Sequence, residues 1–491
     1  MAAKSKPREP HVQPMPAGDT DTAAPVIHGK QSLRWYQGVD RYAWTVLIIA
    51  ALGWMFDTFD QHLFTLLRQQ SITELLRQEH AEALARGTMT DPQVSALAKE
   101  QGGYLTSVFL LGWAAGGFIF GMLGDKLGRT RTMMITILIY AVFTGLNGLV
   151  QNMPQYYLCR FMIALGVGGE FAAGASLVAE TWPPRSRAMG LGLLQSLSAV
   201  GNIMAAVTTL ILASVSWRWV FAVGAIPALL ILWIRRSVHE PEAWHEAKAE
   251  AAISGKAIGT ISGLFSDPVL RRNTIVGVML ATAGVGGVWG VGFFSVDLIG
   301  AALEPLVRNA PDIANITDEK QRESAVKAGL QHWRSLVFLV QMIGAGLGMF
   351  AFAGLAEKTG RRPALFLFLV LAFLSLQAFF RFVNDPVTAF LLAFPLGFCT
   401  LAPFAAFAIY FPELFPTRLR STGVGFCYNA ARVLAAAAPF TLGLLAKFYE
   451  DPMDKTHGFR VAASIVAFIY VIGLIALIYA PETKGKPLPE G

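Results

Sequence analysis

The chain has 491 residues, 54% of them hydrophobic and only 15% charged, with a mean hydropathy of +0.49. Soluble domains carry about 25% charged residues, so a soluble globular protein is excluded and an all-α, polytopic membrane protein is expected. The net charge of +7 and pI near 9.3 fit a positive-inside loop bias rather than nucleic-acid binding.

Residues 1–41 are polar and rich in Pro, Lys and Arg, without the apolar core of a signal peptide. They are expected to form a disordered cytoplasmic tail. Apolar runs long enough to cross a bilayer follow near 42–67, 103–123, 132–150, 154–178, 188–213 and 217–235. A second set lies near 273–299, 334–356, 363–381, 386–411, 419–447 and 459–480. This pattern predicts twelve transmembrane helices in two pseudo-symmetric six-helix bundles, 42–235 and 273–480. A charged linker, 236–272, joins them and a short tail, 481–491, ends the chain. Long outer loops at 68–101 and 300–333 follow the first and seventh helices. Each is expected to form a small exoplasmic cap of short helices.

Lys126, Arg129 and Arg131 follow the second helix, Arg185 and Arg187 the fourth, Lys358, Arg361 and Arg362 the eighth, and Arg418 and Arg420 the tenth. The intervening short loops lack Lys and Arg. The alternation predicts cytoplasmic termini in an inner or plasma membrane. Cys159, Cys399 and Cys427 lie in apolar runs without metal spacing. No nucleotide, metal or cofactor signature accompanies them, and no enzyme is expected.

An internal repeat marks the two halves. Gly121 through Arg129, with Asp125 and Gly128, has a weaker copy around Glu357, Gly360 and Arg361. Glu180, Pro183, Arg187 and Gly190 match Glu413, Pro416, Arg420 and Gly423 at identical internal spacing. Parallel halves with a midplane site between them suit an alternating-access carrier.

Several buried polar groups are candidates for chemistry. Asp57 and Asp60 lie in the first apolar run on one helical face. At 1.5 Å per residue, Asp60 lies roughly 10 Å below the outer end of its helix and Arg160 roughly 9 Å below the end of the fourth. Depth therefore matches Asp60, not Asp57, to Arg160. Such a pair can switch proton affinity between states, or it is a static ion pair. Glu170, further along the fourth helix, is an alternative proton carrier or a solvated vestibule charge. His62 faces away from Asp60 and is expected at an interface. Arg432 sits near mid-bilayer in the eleventh helix, where a guanidinium stays charged and can grip a carboxylate with two hydrogen bonds. The alternative is a structural ion pair. Tyr428, Asn429, Gln195, Asn202, Gln341 and Trp289 are candidate cavity-lining residues, as are Phe404 and Phe407. Each taken singly is equally at home as helix packing.

The segment Gly121-Met122-Leu123-Gly124-Asp125-Lys126-Leu127-Gly128-Arg129 resembles the loop signature of the major facilitator superfamily. Arg160, Gly166, Gly168 to Glu170 and Glu180 through Arg187 are similar to its fourth helix and following loop. The resemblance implies gating at the inner face by Gly121, Asp125, Gly128, Arg129, Glu180 and Arg187. Glu357, Arg361, Glu413 and Arg420 would serve likewise in the second half. Trp35-Tyr36, Gly53 to Asp60, Gly169-Glu170-Phe171, Trp217 to Phe221, Glu240-Pro241-Glu242-Ala243-Trp244 and Pro412 to Arg418 resemble the sialate and monocarboxylate proton symporters. Pro481-Glu482-Thr483-Lys484-Gly485 resembles the sugar-porter ending, and sugar porters also pair an aspartate and an arginine in the first and fourth helices. The seventh helix lacks that family's paired glutamines and the polar cluster of fungal lactate permeases, and the linker lacks a Pro-Glu-Ser-Pro run.

The expected activity is proton-coupled symport of a small organic anion, with the proton as coupling ion and no other cofactor. Asp57, Asp60, Arg160 and Glu170 would couple the proton, and Arg432 would bind the carboxylate. The expected partners are that organic acid and membrane lipid, with no nucleic acid, and the carrier is expected to act as a monomer. The alternatives are a sugar or polyol facilitator, a drug efflux antiporter, or a membrane sensor that binds without transporting. Against efflux, the fifth helix lacks a proline-glycine antiporter signature.

Overall fold

A computed structural model describes residues 34–490 apart from 212–214, 436, 452, 453 and 455. Most of the polar tail expected over 1–41 therefore lies outside the described residues. Twelve rods follow in chain order: α1 Arg41–Glu79, α2 Asp91–Leu127, α3 Arg129–Asn147, α4 Met153–Thr181, α5 Arg187–Ile211 and α6 Trp217–Ser237. The second set is α7 Pro268–Gly290, α8 Glu319–Thr359, α9 Arg361–Phe382, α10 Pro386–Leu414, α11 Arg420–Ala435 continued as Ala437–Phe448, and α12 His457–Tyr479. Among the described residues, ten are long and apolar enough to cross a membrane on their own; α3 and α11 complete the two sets of six.

Within the first half, α1 packs on α5, and α2 and α3 pack on α4. The second half repeats this, with α7 on α11 and α8 and α9 on α10. Two seams join the halves, α2 with α11 and α5 with α8. The ends bearing Arg129, Arg187, Arg361 and Arg420 gather on one side, here termed the basic face.

The face opposite is built differently from expectation. α1 does not stop near Leu67 but runs on to Glu79. Its extension has an apolar side, Ile72, Leu75 and Leu76, buried against Val94, Ala98, Tyr156 and Trp217. Its polar side finds specific partners. Ser71 hydrogen-bonds Tyr156 through their hydroxyls at 2.8 Å, the Trp217 indole N–H donates to Glu74 at 2.8 Å, and the Met153 N–H donates to Glu79 at 2.7 Å. These bonds satisfy donors that a helix end and a buried indole would otherwise leave unpaired. One short helix, Ala81–Ala85, lies between α1 and α2. In the second half, α7 stops at Gly290 rather than near 299. Val291 leaves helical geometry at φ −130° and ψ −47°, and the chain turns through Gly292–Phe294 into a separate helix, Ser295–Arg308. Glycine-rich sequence weakens the helix there.

The linker contains a helix, Glu242–Ser254, docked on the basic face. Its Trp244 is buried and donates its indole N–H to the Asp125 carbonyl at 2.7 Å.

Candidate functional site

A cavity of about 90 Å³ lies between the halves. From the first half, α1 contributes Trp54, Thr58, Gln61 and His62, α2 contributes Trp113, and α5 contributes Gln195, Ser198 and Asn202. From the second half come Val288 and Trp289 on α7, Phe338, Gln341 and Met342 on α8, Leu401 and Phe404 on α10, and Tyr428 and Arg432 on α11. The walls are largely aromatic, with carboxamides and hydroxyls at intervals. The structure thus brings Gln195, Asn202, Trp289, Gln341, Tyr428 and Arg432 to one cavity.

Arg432 is the cavity's cation. Its guanidinium carbon lies 3.9 Å from the ring centroids of both Trp113 and Tyr428. One terminal nitrogen donates to the Asn429 side-chain oxygen at 2.7 Å, while Nε has no hydrogen-bond partner among the described residues. Asn429 does not line the cavity. It stands behind Arg432, donates to the Gly425 carbonyl at 2.8 Å, and fills the space that a side chain at Gly117 of α2 would need. Arg432 is thus held by two ring faces and one amide, with no carboxylate bound to it among the described residues. Phe407 also sits off the cavity, stacked on Phe411. Trp113 was not legible as a site residue, because its contact with Arg432 spans the two halves of the chain. His62 stacks on Phe338 of α8, with centroids 5.3 Å apart and planes 23° apart.

Polar residues already bind one another at the cavity edge. Ser295 donates to Gln341 at 3.3 Å, and Asn202 reaches the Met342 sulfur at 3.5 Å. The Gln195 side-chain oxygen is buried and has no partner among the described residues.

The carboxylates of α1 point the other way, into the first half. Asp60 meets Arg160 at 3.5 Å and accepts from the Thr144 hydroxyl at 2.9 Å. The Arg160 guanidinium is sandwiched between Phe64 and Phe109, at 3.9 and 4.4 Å. Depth matching and structure agree on this pairing. Asp57, one turn away, lies beside Glu170 instead.

At the basic face, two copies of the repeated motif face each other. In the first, Asp125 accepts from the Ser421 N–H at 3.1 Å, the Thr422 N–H at 2.8 Å and the Thr422 hydroxyl at 2.6 Å. A carboxylate from α2 thereby caps the amino end of α11, where four backbone donors and the positive dipole end favour an anion. Arg129 pairs with Asp125 at 3.1 Å and Glu180 at 3.0 Å, and Glu180 accepts from Arg420 of the other half at 2.6 Å. Gly121 contributes its carbonyl to Thr422 at 3.5 Å. In the second copy, Arg361 grips Glu413 with two bonds of 3.0 and 2.8 Å, and Glu413 also accepts from Thr483 at 2.6 Å. Glu357 lies 3.9 Å from Arg361. Arg187 faces Glu413 and Arg420, and its Nε has no partner among the described residues.

Each half adds a cap that the sequence did not reveal. Glu240 accepts from the Thr130 and Arg131 N–H groups at 3.2 and 3.1 Å, at the start of α3. Glu482 accepts from the Arg361 and Arg362 N–H groups at 2.9 and 3.1 Å, at the start of α9. Gly128 and Gly360 precede these helices at φ +108° and +110°, and a Cβ at either would meet the capping carboxylate. The available signal was a glutamate beside a proline just after the sixth helix of each half.

Two six-helix halves around a central cavity with aromatic walls and one buried arginine, clamped at one face, define a membrane carrier. The family model for the Major Facilitator Superfamily matches residues 37–306 and 322–491, and the chain belongs to that family. It is 29% identical to the "Sialic acid transporter NanX" of Escherichia coli, over 90% of this chain and 95% of that protein. It is also 29% identical to the "Probable 4-methylmuconolactone transporter" of Cupriavidus pinatubonensis, over 88% and 89%. Among solved structures, the proton:xylose symporter XylE aligns at a TM-score of 0.63 and 16% identity, covering 91% of this chain and 98% of that one. This last likeness concerns the fold.

Proposed function

We propose that this transporter carries out proton-coupled symport of a small organic anion by alternating access. The observation that carries this reading is Arg432. It is a buried guanidinium in the cavity between the halves, preorganised by Trp113, Tyr428 and Asn429 and without a bound carboxylate among the described residues. A desolvated guanidinium is costly unless an anion meets it, and a substrate carboxylate supplies one with bidentate geometry. The aromatic walls favour a flat, apolar substrate body, and Gln195, Asn202 and Gln341 offer hydrogen bonds to its polar substituents. Relatives whose names specify sialic acid and 4-methylmuconolactone support an acidic or closely related solute.

We read the basic face as the cytoplasmic one from its charge bias, with both termini in the cytoplasm of an inner or plasma membrane. Asp125, Arg129, Glu180 and Arg420 clamp that side. Transport requires the clamp to break so that the cavity opens inward. Buried carboxylates of the first half hold the coupling proton.

The test is a pH-jump uptake screen of organic acids and neutral solutes in proteoliposomes. Inside-alkaline vesicles should accumulate at least one monocarboxylate. If neutral solutes enter and no acid does, the reading of Arg432 is wrong. Counterflow separates transport from sensing, because a sensor binds without exchange.

A further inference from the structure

We propose that Asp57 and Glu170 form a proton-sharing carboxyl pair, and that this pair, rather than Asp60 with Arg160, holds the coupling proton. The pairing stands on the burial of the two carboxyls, their unpartnered oxygens and the slot at Gly53, whereas its coupling role rests on the proton-symport reading above.

Asp57 on α1 and Glu170 on α4 are each only 1% exposed. No oxygen of either carboxyl accepts a hydrogen bond from a donor among the described residues. The two groups lie side by side. Glu170 reaches α1 because position 53 is glycine: its Oε1 occupies the space that a Cβ on Gly53 would take. Gly53 lies one turn before Asp57 on the same face, so the bare Cα creates the slot in which the two carboxyls meet.

Among the described residues, the titratable groups that face the pair are Asp60 on α1 and Tyr140 on α3, with Arg160 on α4 on the far side of Asp60. Arg160 is committed to Asp60 and to the rings of Phe64 and Phe109. The Tyr140 hydroxyl is buried and has no partner among the described residues. Asp60 therefore has a cation and a hydroxyl donor, whereas Asp57 and Glu170 have only each other. Two ionised carboxylates in contact in a lipid-embedded interior repel, and desolvation adds to the cost. One proton removes the conflict. The acid O–H of one group donates to the carboxylate of the other, a charge-assisted hydrogen bond of the strong class. The proton belongs to the pair, which titrates as a unit.

The residue next to Glu170 packs on the substrate cavity's wall. Phe171, next to Glu170, packs on Trp54 with centroids 4.8 Å apart and on Tyr428 at 4.9 Å. Tyr428 is the ring beneath Arg432. A change in the pair's protonation and the arrival of an anion at Arg432 thus act on one packed aromatic group.

The test is infrared difference spectroscopy of the purified full-length protein, without substrate, titrated in light and heavy water. Wild type should show a protonated-carboxyl C=O stretch at neutral pH. Asp57→Asn and Glu170→Gln should each lose it, and Asp60→Asn should keep it. Gly53→Ala, which leaves both carboxyls in place but pushes them apart, should shift the band and guards against misfolding of the amide variants. A wild type without the band, a band lost only in Asp60→Asn, a band surviving in both Asp57→Asn and Glu170→Gln, or an unshifted band in Gly53→Ala would overturn the pair. With benzoate as the transport probe, both amide variants should keep counterflow and lose pH-driven accumulation. Full accumulation in either would overturn the coupling role. If wild type moves no acid at all, the transport reading fails while the infrared result still decides the pair.

Discussion

Asp125 and Glu357 occupy the same place in the two halves, yet Asp125 accepts three hydrogen bonds from the first turn of α11 while Glu357 reaches only Arg361, 3.9 Å away, among the described residues. The arginines follow suit. Arg420 crosses to Glu180 of the first half at 2.6 Å, whereas its counterpart Arg187 forms no ion pair among the described residues. Glu413 gives both oxygens to Arg361 of its own half and shares one of them with the tail residue Thr483. One motif of the repeat therefore locks the halves together and the other braces its own half and the carboxyl tail. The lock sits on the α2–α11 seam, which also carries Trp113 against Arg432 and Gly117 against Asn429. The proposed substrate grip and the clamp lie on one helix pair, so under the proposed function an anion that draws Arg432 away from Trp113 would load the seam that must open.

Three perturbations probe this asymmetry. The largest effect should come from Asp125→Ala, which strips the α11 cap and leaves Arg129 with one fewer partner. Breaking a buried pair costs about 3–5 kcal/mol. Transport should fall more than about tenfold, since that energy is several factors of ten. Spin labels at the exposed positions Arg131 and Lys358 should move apart. Glu357→Ala should change both readouts little; equal effects would break the comparison.

Gly128→Ala and Gly360→Ala should cost about 1–3 kcal/mol each, because both residues combine a positive φ with an extended ψ, a backbone region essentially restricted to glycine. Thermal unfolding should register the two equally. A loss confined to Gly128 would mean that the caps, too, differ between the halves.

The smallest effect is expected at the caps themselves. Burial pushes the Glu482 carboxyl up, but the N–H groups of Arg361, Lys484, Arg362 and Thr483 outweigh it and hold the group below its ordinary range. A depressed carboxylate stabilises the fold above its unfolded value and loses that contribution as pH falls through the folded value. Glu482→Gln should therefore lower the unfolding temperature slightly, by a cap's worth of at most about 1 kcal/mol. The deficit should stay constant near neutrality and shrink on acidification. A deficit that grows in acid would contradict the cap.

The sequence carried the membrane spans, the repeat and the Asp60–Arg160 pairing, because hydropathy, spacing and helix rise are local or nearly local quantities. It also collected most of the cavity's polar residues. It missed what depends on contact between distant segments. The extension of α1 to Glu79 is stabilised by Tyr156 and Trp217, far away in the chain. Trp113 acquires meaning only beside Arg432, and Asp57 only once Gly53 admits Glu170. Asn429 looked like a cavity residue from its place on α11, yet it turns inward because Gly117 leaves room for it.

The central claim is that Arg432 grips a substrate carboxylate. Its most direct test is counterflow of benzoate, or of the best acid from the uptake screen, in proteoliposomes carrying Arg432→Gln beside wild type. Counterflow needs binding but no proton gradient. The account predicts that the variant loses counterflow along with accumulation while wild type shows both. Undiminished counterflow in Arg432→Gln would contradict it.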